Sequence, residues 1–380
     1  MARQRKRSVH GGGSVFQRKD GRWEAKFKVE ETGKYKSLYA RTEKEAYKLL
    51  EDAKFQQKQG TLATGPQQTV KDFLEYWLEN VEKPTIELGT YFNNRIIVHK
   101  HLIPGLGHIK LQKLTAQQVQ TFYSRKLKDG AAASRIEQFQ GVLHKALTYA
   151  RRMKLVSVNV TDDVQVPRRV EYEGPVLTPE QVRLLLREAR EKGLEIPIAL
   201  GVTMGMRIGE ILGLRWSDID LVKGTLRVSR TLNYLPEYRF VETKGKTKAS
   251  RRNMLLPQFL IALLKKQAAL QLERKEGAGT EWIDRDLVFS NKVGDYIIPT
   301  TLRRRFYRLL LNVGLPRMHF HDLRHSAATI LISMGVPVNM VQELLGHSDV
   351  SITLDIYAAV VPSMRQDAIK KMDDLFGEQS

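Results

Sequence analysis

HDLRHSAATILISMGVPVNMVQELLGHSDVSITLDIYA, residues 321–358, repeats its apolar positions at helical spacing but sets His321, Arg324, His347 and Tyr357 among them. An arginine in an apolar helix is costly unless it meets an opposite charge. His321 and Arg324 stand three residues apart, so on a helix they share a face and can address one small anion. The guanidinium fork grips two oxygens of a phosphate, and imidazole can hold or move a proton near neutral pH. His319, His321 and His325 also invite a metal-cluster reading. We set it aside because Asp322, the one carboxylate at fitting spacing, points another way. A lone helical tyrosine is more often core packing than a nucleophile, so Tyr357 needs support from elsewhere in the chain.

That support begins with charge. The chain has 380 residues, 62 Lys and Arg against 42 Asp and Glu, and a formal net charge of +20. Such an excess usually faces a polyanion, and nucleic acid is the commonest one. A hydrophobic fraction of 42% is enough for real cores. The absence of cysteine excludes disulfides, thiolate zinc sites and a cysteine nucleophile. No apolar run approaches the ~18 residues of a membrane span, and the basic N-terminus lacks the apolar stretch of a secretory signal. The expected location is the cytoplasm, on DNA.

Three modules are expected. Residues 1–66 begin with a basic arm holding Arg5, Lys6 and Arg7 and continue into a small sheet. Lys19-Asp20-Gly21 and Glu31-Thr32-Gly33-Lys34 read as turns. Between them Trp23, Ala25, Phe27 and Val29 alternate with Glu24, Lys26 and Lys28, the period of a half-buried strand. Thr42 and Glu45 open a helix to about Gln57 as a capping box. This module carries 16 basic and 8 acidic side chains. Its face, with Arg22, Lys26 and Lys28, suits a DNA groove, although a solvated charged face is the plainer reading. Residues 67–168 read as an all-α bundle. Val70, Phe73, Leu74, Trp77 and Val81 form one stripe; Phe139, Leu143, Ala146, Leu147 and Ala150 form another. Lys145, Arg151 and Arg152 are candidate DNA contacts there. Residues 169–380 start a third module with Thr178 as cap and Pro179 in the first helical position. Its helices alternate with a short sheet, TLRVSR and then NMLLP, joined through KGKTKASRR. Arg251, Arg252, Arg303 and Arg304 are its candidate DNA contacts. In the tail, Met364, Ala368, Met372, Leu375 and Phe376 lie on one stripe of a short helix.

Chemistry collects in this third module. In GVTMGMRIGEILGLRWSDID, residues 201–220, Arg207 sits among apolar residues with Glu210 three positions on. An Arg-Glu pair is the structural explanation. Cleaving one phosphodiester offers another: two arginines neutralise the nonbridging oxygens, a phenol attacks, and a lysine protonates the leaving 5′-oxygen. Side-chain cations then do a metal's work, and no cofactor is called for.

GMRIGEILGLRW, KTKASRRNMLLP, HDLRH and ELLGHSDVSITLDIYA resemble, in order and spacing, the four signature regions of the tyrosine recombinase (phage integrase) family. Each motif is weak alone; four in order are specific. The first two modules resemble the family's arm-binding and core-binding domains, although the Ala-rich DGAAASR at residues 129–135 departs from the family pattern. The resemblance implies a multidomain fold: a small β-sheet plus helix, an all-α core-binding bundle, and a mainly α catalytic domain with a small antiparallel sheet. It makes Arg207, His321, Arg324 and His347 catalytic, Glu210 the acid supporting Arg207, and Tyr357 the nucleophile. Lys246 is favoured as the catalytic lysine because Thr247 follows it; Lys244 and Lys248 remain alternatives. The implied partners are double-stranded DNA with core and arm-type sites and a homotetramer, with room for a directionality factor or a host DNA-bending protein. Rival readings are a non-catalytic DNA-binding protein of the same fold and a metal-dependent nuclease.

Overall fold

The structure, a computed structural model, describes residues 13–30, 33–58, 62, 68–169, 174–244, 252–346, 354 and 356–358. Arg5, Lys6, Arg7, Lys246, Lys248, Arg251, His347 and the tail stripe lie outside the described residues, as does the side chain of Lys244. The chain divides into two compact units, Met1–Glu171 and Tyr172–Ser380.

In the first unit, β1 (Ser14–Gln17), β2 (Trp23–Lys28) and β3 (Tyr35–Ala40) form an antiparallel meander. Ser14 faces Lys26, and Trp23 faces Ala40. The expected alternation holds: Ala25, Phe27 and Val29 pack on Ala46, Leu50 and Ala53 of α1 (Glu43–Lys58), while Lys26 and Lys28 are exposed. Glu24 on that outer face is buried because Arg18 (2.8 Å) and Ser37 (2.7 Å) hold its carboxylate. Thr42 and Glu45 bond reciprocally to cap α1, each contact at 3.2 Å.

The helical part of this unit comprises α2 (Val70–Trp77), α3 (Leu88–Ile97), α4 (Ile103–Leu106), α5 (Ala116–Lys128) and α6 (Ala133–Arg152). The inward stripe of α6 is buried as its spacing predicts. The stripe of α2 is buried through Trp77, but Val81 is only half-buried. After Trp77 the backbone widens into a π-helical turn, Leu78–Glu82, closed by Lys83 N–H donating to Leu78 O at 3.0 Å. The extra residue advances the phase, so Leu78 and Glu82 turn inward instead. A buried carboxylate needs partners; Glu82 Oε1 accepts from Lys145 Nζ at 2.8 Å and Asn94 Nδ2 at 3.0 Å.

The second unit begins with α7 (Pro179–Arg190), capped by Thr178 and Gln181, and α8 (Glu195–Thr203), whose residues from Pro197 to Val202 are all buried. α9 (Ile208–Leu212) follows. β4 (Ile219–Asp220), β5 (Thr225–Val228) and β8 (Arg252–Leu255) form an antiparallel sheet, with Thr225 opposite Leu255. The two expected strands therefore pair, but the lysine-rich segment does not join them directly. A hairpin of β6 (Arg230–Leu235) and β7 (Arg239–Lys244) stands between them. Leu232 and Leu235 are buried, and Tyr234 meets Phe240 edge-on at 5.4 Å. KGKTKASRR thus connects β7 to β8. α10 (Gln258–Ala278), α11 (Pro299–Asn312), α12 (Asp322–Ser333) and α13 (Val338–Leu345) complete the described helices. Among the described residues no helix is long and apolar enough to cross a membrane.

Candidate active site

Arg207 is the residue that opens α9, and the chain turns into it through Gly205 at φ 59°. Only glycine fits there: a Cβ on Gly205 would lie 2.1 Å from Leu345 Cδ2. Glu210, in the first turn of α9, accepts from the Arg207 backbone N–H at 3.0 Å and from its Nη1 at 2.9 Å. The sequence-level Arg-Glu pair is therefore real, but Glu210 has a second partner. Arg252, at the start of β8, donates from Nη1 (3.3 Å) and Nη2 (3.0 Å) to the same carboxylate and from Nε to Leu344 O (3.1 Å). Burial by itself would push the Glu210 carboxyl upward; the charge and hydrogen bonds of Arg252, with those of Arg207, outweigh it and hold the group below its ordinary range.

Arg324 lies in the first turn of α12 and is 1% exposed. Its Nη1 donates to Gly205 O at 2.8 Å and also to Leu345 O. Burial, and then the charges of Arg207 and Arg252, pull its pKa down to about 9, against the weaker opposing pull of Glu210. It still keeps its proton at neutral pH; the fall registers first its removal from water and then its cationic neighbours. Two guanidiniums thus hold one buried carboxylate, and a third, Arg324, is fixed to backbone carbonyls within reach of their charge, an arrangement that favours a bound anion.

His321 and Arg324 are joined through the first turn of α12, the Arg324 N–H donating to His321 O at 3.0 Å, but they differ in exposure. His321 precedes α12 and is exposed, whereas Arg324 is buried inside the first turn. The two remain electrostatic neighbours. Desolvation, and then His325, Arg324 and Arg207, push His321 down to about 4, with Asp322 opposing. The ring keeps an open side, so the direction decides the matter: the imidazole is neutral at pH 7. Its ring stands perpendicular to that of His325 at 5.4 Å. Asp322 turns back to accept from the His319 N–H at 2.6 Å, and His319 Nδ1 meets Tyr307 Oη at 2.8 Å. Among the described residues no His, Cys, Asp and Glu group stands ready for a metal ion.

Tyr357 is helical and 38% exposed. Its neighbour Ile356 packs on Ala327, Ala328 and Ile332 of α12 and Val341 and Leu345 of α13. The helices that carry Arg324 and Leu345 therefore also anchor the residue beside the phenol.

Two candidate DNA contacts have partners within the protein. Arg252 is buried on Glu210, and Lys145 spends its ammonium on buried Glu82. Arg303, Arg304, Lys28 and Arg152 are exposed. Arg22 pairs with Asp20 (2.6 Å), Lys26 sits 5.3 Å from the Tyr35 ring, and Arg151 lies 3.5 Å from Asp162. Sequence reasoning missed the structural role of Arg252. The signal was present in period two, since Arg252 and Met254 both point inward from β8.

The phage integrase family model matches residues 175–364, and the phage integrase N-terminal SAM-like domain model matches residues 69–127. The chain belongs to the phage integrase family. Among its relatives is a XerC-like tyrosine recombinase of Caldanaerobacter subterraneus, 28% identical over 91% of this chain and 94% of the relative. The integrase of Streptomyces ambofaciens is 28% identical over 98% of both chains. Among solved structures, the Tn1549 transposon integrase bound to a circular intermediate DNA superposes with a TM-score of 0.68 at 18% identity, over 79% of this chain and 99% of that one. A lambda integrase tetramer bound to a Holliday junction gives 0.57 at 17% identity, over 92% and 96%. At those identities the structures share the fold.

Proposed function

We propose that this protein is a site-specific DNA recombinase that integrates or excises a phage or other mobile element through a covalent 3′-phosphotyrosine. Tyr357 Oη attacks the scissile phosphorus; the P–O bond to the 5′-oxygen breaks, and that oxygen leaves with a proton. Lys246 donates the proton, with Lys244 and Lys248 as the other candidates on the same segment. Arg207 and Arg324 neutralise the nonbridging oxygens, and His321 and His347 add hydrogen bonds and proton traffic. The 5′-hydroxyl of a second strand then attacks the phosphotyrosine and releases Tyr357. The bond energy stays in the ester, so no cofactor is consumed.

The observation that carries this reading is the grouping of three guanidiniums against one carboxylate: Arg207 and Arg252 bonded to Glu210, and Arg324 bonded to the carbonyl of Gly205, two residues before Arg207. The surplus positive charge awaits one anion, and a phosphodiester is the anion a strongly basic chain of this family meets. In this reading residues 1–66 bind arm-type sites, 67–168 hold the core site, 169–380 cleave, and four protomers assemble on two duplexes in the cytoplasm.

A nicked suicide duplex that lets the cut strand diffuse away provides the test. The wild-type chain should form a covalent protein-DNA band in EDTA. Tyr357→Phe should bind the duplex and form none. A persistent adduct in that variant would overturn the assignment; DNA binding with no adduct even in the wild type would favour a non-catalytic DNA-binding protein.

A further inference from the structure

We propose that Arg252 is a positioning residue of the cleavage site, fastening the Glu210 carboxylate that holds Arg207 to the end of α13. The proposal rests on the function given above, because it assigns Arg252 a role in that same reaction.

Three contacts lead to this assignment. The Arg252 fork reaches both oxygens of Glu210, at 3.3 and 3.0 Å, so the carboxylate cannot swing while the fork is in place. The third nitrogen, Nε, donates to Leu344 O at 3.1 Å. The next carbonyl along, Leu345 O, accepts from Arg324 Nη1. One planar group therefore ties together the start of α9 with Arg207, the end of α13, and, through adjacent carbonyls, Arg324. Arg252 is also the first residue of β8, directly following the lysine-bearing segment in the chain.

Chemistry separates this role from DNA contact or simple core filling. Arg252 is buried, and its Nε, Nη1 and Nη2 all donate to Glu210 or Leu344 O. A buried arginine that only filled space would be replaceable by an apolar side chain. Arg252 instead supplies the largest force keeping Glu210 ionised against its own burial. Without that force the burial of Glu210 is opposed by Arg207 alone, and the carboxyl moves upward. A protonated Glu210 loses its charge on Arg207, whose side chain is 38% exposed and free to take other rotamers. The effect on cleavage is then indirect and depends on pH.

The test measures single-turnover cleavage of the suicide duplex from pH 5.5 to 9 by the full chain. Arg252→Met should bind the duplex within about threefold of wild type, cleave at least tenfold more slowly at pH 6, and recover part of that loss as pH rises. Glu210→Gln combined with Arg252→Met should cleave no more slowly than the slower single variant and lose the added pH dependence, because both act through one carboxylate. A profile for Arg252→Met parallel to that of wild type, or losses that multiply in the double variant, would overturn the proposal. If Arg252→Met shows no cooperative melting transition, Arg252→Lys decides. It keeps the charge but cannot span Glu210 and Leu344 O together, so it should cleave several-fold more slowly with a wild-type pH profile; wild-type cleavage by Arg252→Lys would sink the idea. Wild-type adduct formation in the same gel separates this outcome from failure of the recombinase reading.

Discussion

Arg324 Nη1 donates to Gly205 O across 2.8 Å, and Gly205 can present that oxygen only because it sits at φ 59° with no side chain. The turn into Arg207 and the first turn of α12 are thereby fixed to each other, 119 residues apart in sequence. Gly205 thus links Arg324 to the turn that leads into Arg207.

Gly205→Ala should therefore destabilise the second unit severely. A left-handed alanine costs about 1–2 kcal/mol. Its Cβ, 2.1 Å from Leu345 Cδ2, adds overpacking of about 1–3 kcal/mol. Calorimetry should find the melting transition of this unit lowered by roughly 5–15 °C at ~2–4 °C per kcal/mol. An unshifted transition would mean that Leu345 yields without cost.

Arg207→Ala and Arg324→Ala should each slow cleavage by about a hundredfold or more, since each removes transition-state charge stabilisation worth roughly 3–4 kcal/mol. Mobility shifts should still detect duplex binding. Rates within about tenfold of wild type would mean that neither guanidinium meets the scissile phosphate.

Lys145→Met should destabilise the helical bundle although the lysine lies largely at the surface. It removes the cation from Glu82, which is 1% exposed and still accepts from Asn94. The expected loss is about 1–3 kcal/mol, less than for a fully buried pair because the lysine is half solvated. Arg151→Met, at an exposed pair, should stay within about 0.5 kcal/mol. Urea denaturation distinguishes the two; equal effects would remove Glu82 from the account.

His321 should titrate near 4 in the free protein and move upward on DNA. Its folded pKa lies below the unfolded value of about 6.5, so the unfolded chain binds more protons. Its contribution to stability is whole above about pH 6.5 and is lost as pH falls toward 4. A phosphate beside the ring favours the charged form and should raise the pKa by about 1–3 units. Histidine ring resonances followed by NMR, assigned with His321→Gln, read both values. A pKa that does not change on DNA binding would separate His321 from the phosphate.

Sequence and structure divide the work along a physical line. Whatever is written in a local period or a short spacing was legible in the chain: the alternation of β2, the capping pair Thr42–Glu45, the Thr178 cap, the stripe of α6, and the motif order that marks the phage integrase family. The bond of Glu210 to Arg207 belongs with these, because three residues of helix bring the two together. The tertiary structure decided what depends on distant partners. Glu82 rather than Val81 turns inward because a π turn shifts the phase and Lys145, 63 residues away, stabilises the buried charge. Arg252 reads as one more surface cation in a basic run until Glu210, 42 residues earlier, and Leu344, 92 residues later, converge on it. Charge pattern records which residues carry charge; only the packed chain determines which of those charges are buried, and a buried charge can exist only where the fold brings its partner.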